Sequence, residues 1–158
     1  MPITTLEERP ECRVGHAGSV FVTAWYSELT EAALDMMERH QTALSQRYGK
    51  VTLISIVMGA TRNPPPDVRE RLKRTADFLQ DQRIGNFVVV QTRGLSAIIA
   101  RTFLAALSLM NSENMKVFKT LEDAAEEAKR IPGQQQEVVT NTTLAADLAA
   151  FAQLPPPR

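Results

Sequence analysis

The sequence predicts one α/β domain, a mostly parallel sheet flanked by helices, in the element order β-β-α-β-α-β-α-β-α. Three observations predict it. Short runs of β-branched and aromatic residues alternate with longer segments whose apolar positions recur every three or four residues. The runs at residues 51–58 (VTLISIVM) and 87–90 (FVVV) are apolar almost throughout, as in strands buried on both faces. The chain has 158 residues, enough for one core with short tails. Helical crossovers between such strands imply parallel, right-handed connections.

Residues 1–11 are polar, carry Pro2 and Pro10, and read as a flexible N-terminal arm. The domain proper is expected over 12–131. Residues 12–14 open a short strand, and the glycines of 15–18 (GHAG) allow a turn. Residues 20–26 (VFVTAWY) form the next strand. Thr30 is a natural N-cap with Glu31 at the positive helix end. Leu34, Met37, Gln41, Leu44 and Tyr48 then make one stripe, so a helix runs over 31–48 and stops at Gly49.

After the central strand come Gly59-Ala60-Thr61-Arg62-Asn63 and three prolines, with Pro66 suited to a first helical turn. Val68, Leu72, Ala76 and Leu79 mark that helix's inner face. Asp67 with Arg71 and Glu70 with Arg74 are spaced to pair on its outer side. Gly94 ends the next strand, and Ser96 can cap a helix with a stripe of Ile99, Phe103, Ala106, Leu107 and Met110. Residues 115–118 form a short strand. Thr120-Leu121-Glu122-Asp123 resembles a capping box and opens a helix to about Arg130, closed by Pro132-Gly133. Leu53, Ile56, Val89, Phe103 and Leu107 are expected to be buried together.

Residues 132–158 follow as a linker, a short helix and a Pro-rich tail. Asn141 or Thr142 can cap the helix, which places Leu144, Leu148, Phe151 and Ala152 on one side. A helix this short does not hold alone in water, so it must dock on its own domain or on a partner. Leu144, Leu148 and Phe151 are therefore candidate binding residues.

Three local features resemble the STAS / SpoIIAA-like superfamily of sulfate-transporter and anti-sigma-factor-antagonist domains, over roughly residues 12–130. One is the strand leading through a short linker into a Thr-Glu helix start, from Trp25 to Glu31. Another is the central apolar strand that ends in a loop before the second helix. The last is Lys116-Val117-Phe118 followed by Thr120-Leu121-Glu122-Asp123-Ala124. The resemblance implies a scaffold for protein contact or small-ligand binding. The Asp-Ser pair that carries the phosphorylated serine in regulatory members is absent. Thr61 is the one hydroxyl near that place, without a preceding acid, so phosphorylation is not expected on the same grounds.

Chemical signatures are sparse. Two histidines, His16 and His40, and one cysteine, Cys12, suggest no metal site and no disulfide. No phosphate-binding glycine motif occurs. Gly94-Leu95-Ser96 has a strand-to-helix setting without the flanking glycines of a hydrolase elbow, so a hydrolase is the weakest alternative. The 18 basic and 18 acidic residues balance, which argues against nucleic acid as the partner. Neither a signal peptide nor an apolar run long enough for a membrane span is present, so a cytoplasmic setting is expected. Arg62, Arg69, Arg71, Lys73, Arg74 and Arg83 gather around the second helix. They read as a dock for an acidic partner or as a face neutralised by neighbouring acids. The expected function is a non-enzymatic regulatory or protein-interaction module without a cofactor, binding a protein partner or forming a homodimer. The alternative is a carrier of a small apolar or anionic ligand. Thr61, Arg62, Asn63 and Arg69 are the candidate binding residues at the loop after the central strand.

Overall fold

The computed structural model describes residues 2–59, 64–91, 98, 101 and 115–155. They form a six-stranded sheet whose spatial order follows the chain. Its strands are β1 (Thr4–Glu8), β2 (Cys12–Ala17), β3 (Val20–Trp25), β4 (Val51–Val57), β5 (Arg83–Val90) and β6 (Met115–Phe118). β1, β2 and β3 pair antiparallel, and β3 to β6 pair parallel. The sheet is therefore mixed, and its first third corrects the expectation of a mostly parallel one.

That third includes the segment expected to be a flexible arm. Thr4–Glu8 is an edge strand on β2, with an irregularity in register between Thr5 and Glu7. An edge strand needs partners on one side only, so polar residues suffice once their charges are matched. Glu7 accepts hydrogen bonds from Arg39 Nη1 at 3.1 Å and from His40 Nε2 at 2.8 Å, and Glu8 accepts one from Arg13 Nε at 2.7 Å.

Helices cover both faces of the sheet. On one side α1 (Glu31–Tyr48) and α2 (Pro66–Leu79, continued by a 3-10 turn Gln80–Gln82) face Cys12, Val14, Phe21, Trp25, Val51 and Leu53. On the other, α3 (Leu121–Arg130), α4 (Gln136–Val139) and α5 (Leu144–Gln153) face Val20, Val22, Ala24, Ile54, Ile56, Phe87 and Val89. Strand residues alternate between the two faces. Ile56 and Val89 therefore share a core while Leu53 lies in the other, which corrects the single cluster expected from sequence. Phe103 and Leu107 lie outside the described residues.

The helix starts follow from local chemistry. Thr30 Oγ1 accepts from Ala33 N at 3.1 Å, and Thr120 Oγ1 accepts from Asp123 N at 3.1 Å. Gly49 ends α1 at φ 85°, where other residues are strained. At α5 the N-cap is Thr143 rather than Asn141 or Thr142, and Asn141 Oδ1 accepts from Thr143 N instead.

The C-terminal helix docks on its own domain. Leu144, Leu148 and Phe151 are 0%, 0% and 3% exposed, so they are core residues and offer nothing to a partner. The Phe151 ring lies over Gly15. A Cβ there would come within 2.7 Å of the ring and 2.6 Å of the Thr4 carbonyl oxygen. Only glycine leaves room for both β1 and α5. Replacing Phe151 with Ala should cost about 3–5 kcal/mol in urea unfolding, and a loss below about 1 kcal/mol would show that α5 is not keyed to the sheet through this ring.

Candidate functional site

The parallel strands β3, β4 and β5 end at Trp25, Val57 and Val90, and their connections leave from one edge of the sheet. Open α/β sheets place ligands at such an edge. The exit from β4 is tightly held. Met58 N and Gly59 N both donate to the Trp25 carbonyl, at 2.7 and 3.1 Å. A Cβ at Gly59 would lie 1.7 Å from the Tyr26 carbonyl oxygen, so no other residue fits without moving the chain. Thr61, Arg62 and Asn63 lie outside the described residues. The chain re-enters at the buried Pro64, and Pro66 starts α2, where a missing N–H costs nothing.

Arg69 is exposed on the first turn of α2, away from the face that holds Leu144, Leu148 and Phe151. The described members of the sequence-predicted set are therefore not gathered into one site. The outer pairs expected on α2 do not form either. Arg71 turns inward across the helix pair, donating to Asp35 Oδ1 at 2.6 Å and lying 3.1 Å from Glu38 Oε2. Its hydrogen bond with Asp35 raises the guanidinium pKa further. Thr75 Oγ1 donates to Glu38 Oε1 at 2.7 Å and completes the junction of α1 with α2. Among the described residues, Arg69, Lys73 and Arg74 form no salt bridge.

Sequence reasoning missed the most elaborate polar group at this edge. Arg13 is 2% exposed. Its Nη1 donates to the Tyr26 hydroxyl at 2.5 Å and to the carbonyls of Phe151 and Leu154 at 3.2 and 3.1 Å. Its Nη2 donates to the Pro155 carbonyl at 2.6 Å. Tyr26 Oη donates in turn to the Ala152 carbonyl at 3.1 Å. The Phe151 and Ala152 carbonyls are among those that a helix C-terminus leaves without intrahelical partners, and Leu154 and Pro155 follow directly after the helix. A charged residue between Cys12 and Val14 in a buried strand was the available signal.

Other ionisable groups are committed to structure. Burial pushes the Cys12 thiol well up, which keeps it protonated and a poor nucleophile. Glu11 bonds to Arg9 and accepts from Thr30 Oγ1 at 3.0 Å. Burial acts to raise its pKa, but Arg9, its own backbone N–H and Thr30 together bring it below the usual value. At the opposite end of the sheet a surface hollow of about 330 Å³ is lined by Glu137, Thr140, Asn141, Thr142 and Thr143. Two of its three hydroxyls bond to the chain itself. Thr140 donates to the Gln136 carbonyl at 2.9 Å and Thr143 to Asp147 at 2.7 Å. Among the described residues no group of three His, Cys, Asp or Glu is placed to hold a metal ion. No described helix is long and apolar enough to cross a membrane.

No family model, curated protein or solved structure matches the chain.

The N-terminal strand carries a pH dependence with a definite sign. Glu7 is lowered from 4.5, chiefly by its hydrogen bond with Arg39 and then by that with His40. Glu11 is lowered too. A carboxylate with a depressed folded-state pKa contributes stability above its unfolded value, and that contribution is lost as pH falls through the folded value. Acidification from about pH 6 to below 4 should therefore weaken the anchoring of residues 4–11, by about 0.2–1 kcal/mol for each partly exposed pair. The Glu7→Gln, Glu11→Gln double variant should flatten the dependence measured by urea unfolding. An unchanged acid slope would show that these carboxylates do not hold the strand.

Proposed function

We propose that the chain is a non-enzymatic protein-interaction module of STAS-like type. It engages a protein partner through the outer face of α2 and the loop that precedes it. The observation that carries this reading is Phe78, 60% exposed on that outer face. The inner face of α2 is already spent on α1 through Leu72, Thr75 and Leu79. A large apolar side chain with the cation Arg74 one turn before it, unpaired among the described residues, has the composition of a contact anchor with a charged rim.

Supporting this reading, the glycine-anchored exit of β4 and the first turn of α2 with Arg69 lie at the same end of the sheet, and Thr61, Arg62 and Asn63 fall between them in sequence. The STAS-like part of the proposal rests on β6 leading into the Thr120-capped α3, as in the sequence echo above. A cytoplasmic setting and a partner other than nucleic acid belong to the same proposal, and a second copy of the chain is one form the partner can take.

The test is photo-cross-linking from position 74 in cells, with Phe78→Ser and Arg69→Glu as controls. Loss of an interface anchor should lower recovery of the cross-linked partner at least about tenfold while the melting temperature stays unchanged. Light scattering shows whether that partner is a second copy. Equal recovery by wild type and both variants would remove α2 as the contact face.

A further inference from the structure

The outer face of α2 carries a short row of unlike side chains. Phe78 is the most exposed large apolar residue among those described. Arg74 precedes it by four residues, and Asp81 follows it by three, in the 3-10 turn that continues the helix. Helical spacings of three and four put side chains on one stripe. The row therefore reads cation, ring, carboxylate. All three are exposed, and neither Arg74 nor Asp81 has an ion-pair or hydrogen-bond partner among the described residues.

A row with opposite charges at its ends and an apolar centre is complementary to itself under a two-fold axis. Turned end for end, a second copy sets its Asp81 opposite Arg74 and its Arg74 opposite Asp81, with the two Phe78 rings at the axis. The other charges of the face fit this register. Asp77 stands beside Phe78 and has Lys73 one turn before it on its own helix. Asp67 and Glu70 lie on the first half of α2, beyond the point where the second copy's helix ends. The alternatives that oppose Arg74 to another carboxylate of the face do less well. Opposing it to Asp67 or Glu70 leaves the rings several turns apart, and opposing it to Asp77 sets Glu70 against Asp81.

We propose that the occupant of this face is a second copy of the chain, packed α2 against α2 and antiparallel across a two-fold axis at Phe78. The proposal rests on the reading of α2 as the contact face and adds the identity of the partner. The paired rings supply the apolar centre of the contact. The two Arg74–Asp81 pairs set its register, because like charges brought face to face oppose association. A contact made by one pair of helices is small, so the dimer is weak and forms at high protein concentration.

Sedimentation equilibrium of the full chain, carried to millimolar concentration, tests it by charge exchange. Arg74→Asp leaves two acids at the ends of the row, and Asp81→Arg leaves two bases. Each variant alone should self-associate at least about tenfold more weakly than wild type. Mixed in equal amounts they should recover a dimer of wild-type strength, because each then meets the opposite charge. The double variant reverses the row and should dimerise alone. Phe78→Ser should be monomeric with an unchanged melting temperature. A monomeric wild type would overturn the second copy as the partner. So would single variants that dimerise like wild type, or a mixture that gains nothing over either. Cross-linking from position 74 separates that failure from failure of the α2 reading. A monomeric chain that still captures another protein there, and loses it in Phe78→Ser, keeps α2 as a contact face without the second copy; one that captures nothing loses both.

Discussion

The buried guanidinium of Arg13 is the interaction on which the two ends of the chain depend. It reaches β1 through Glu8, the end of β3 through Tyr26 and the end of α5 through three carbonyls. Removing such a charge from water costs several kcal/mol unless its donors are matched. Here the match is close to complete. One carboxylate, one phenol and the negative end of a helix dipole surround it, and the Tyr26 and Phe151 rings lie 5.4 and 5.8 Å from its central carbon. Lose one partner and the others are left with a buried, undersatisfied cation. β1, β3 and α5 are therefore bound together through one side chain.

This arrangement decides which surfaces remain free. With α5 held down, the α3–α5 face of the sheet is closed by Phe151 over Gly15 and by Leu144 and Leu148 beneath it. On the other face α1 takes up the inner side of α2 through Arg71, Thr75 and Glu38. Among the described residues, the outer face of α2, with Phe78, remains open.

Elements with a local cause were legible in the sequence. Thr30 and Gly49 bound α1 as expected, the apolar runs became β4 and β5, and Thr120 opened α3. Elements with a distant cause were not. β1 has no hydrophobic signal of its own, because its charges are matched by Arg39 and His40 more than thirty residues on. Arg13 finds its carbonyls 138 to 142 residues away, which no periodicity reveals. Arg71 has Asp67 one turn away, yet the contact between α1 and α2 gives it Asp35 and Glu38. The candidate loop residues follow only from their position in the strand order, after the central strand. The exposed Phe78 carried no signal, because its neighbour Leu79 is the residue that follows the helical stripe.

The most direct measurement is amide hydrogen exchange in Arg13→Lys. Lysine keeps the charge and loses the fork that holds several carbonyls at once. The account predicts that amides of α5 and β1 lose protection together, at least about tenfold, while those of α1 and β4 stay within about twofold of wild type. Unchanged protection in α5, or a uniform loss across the chain, would contradict the claim that this one guanidinium joins the two ends.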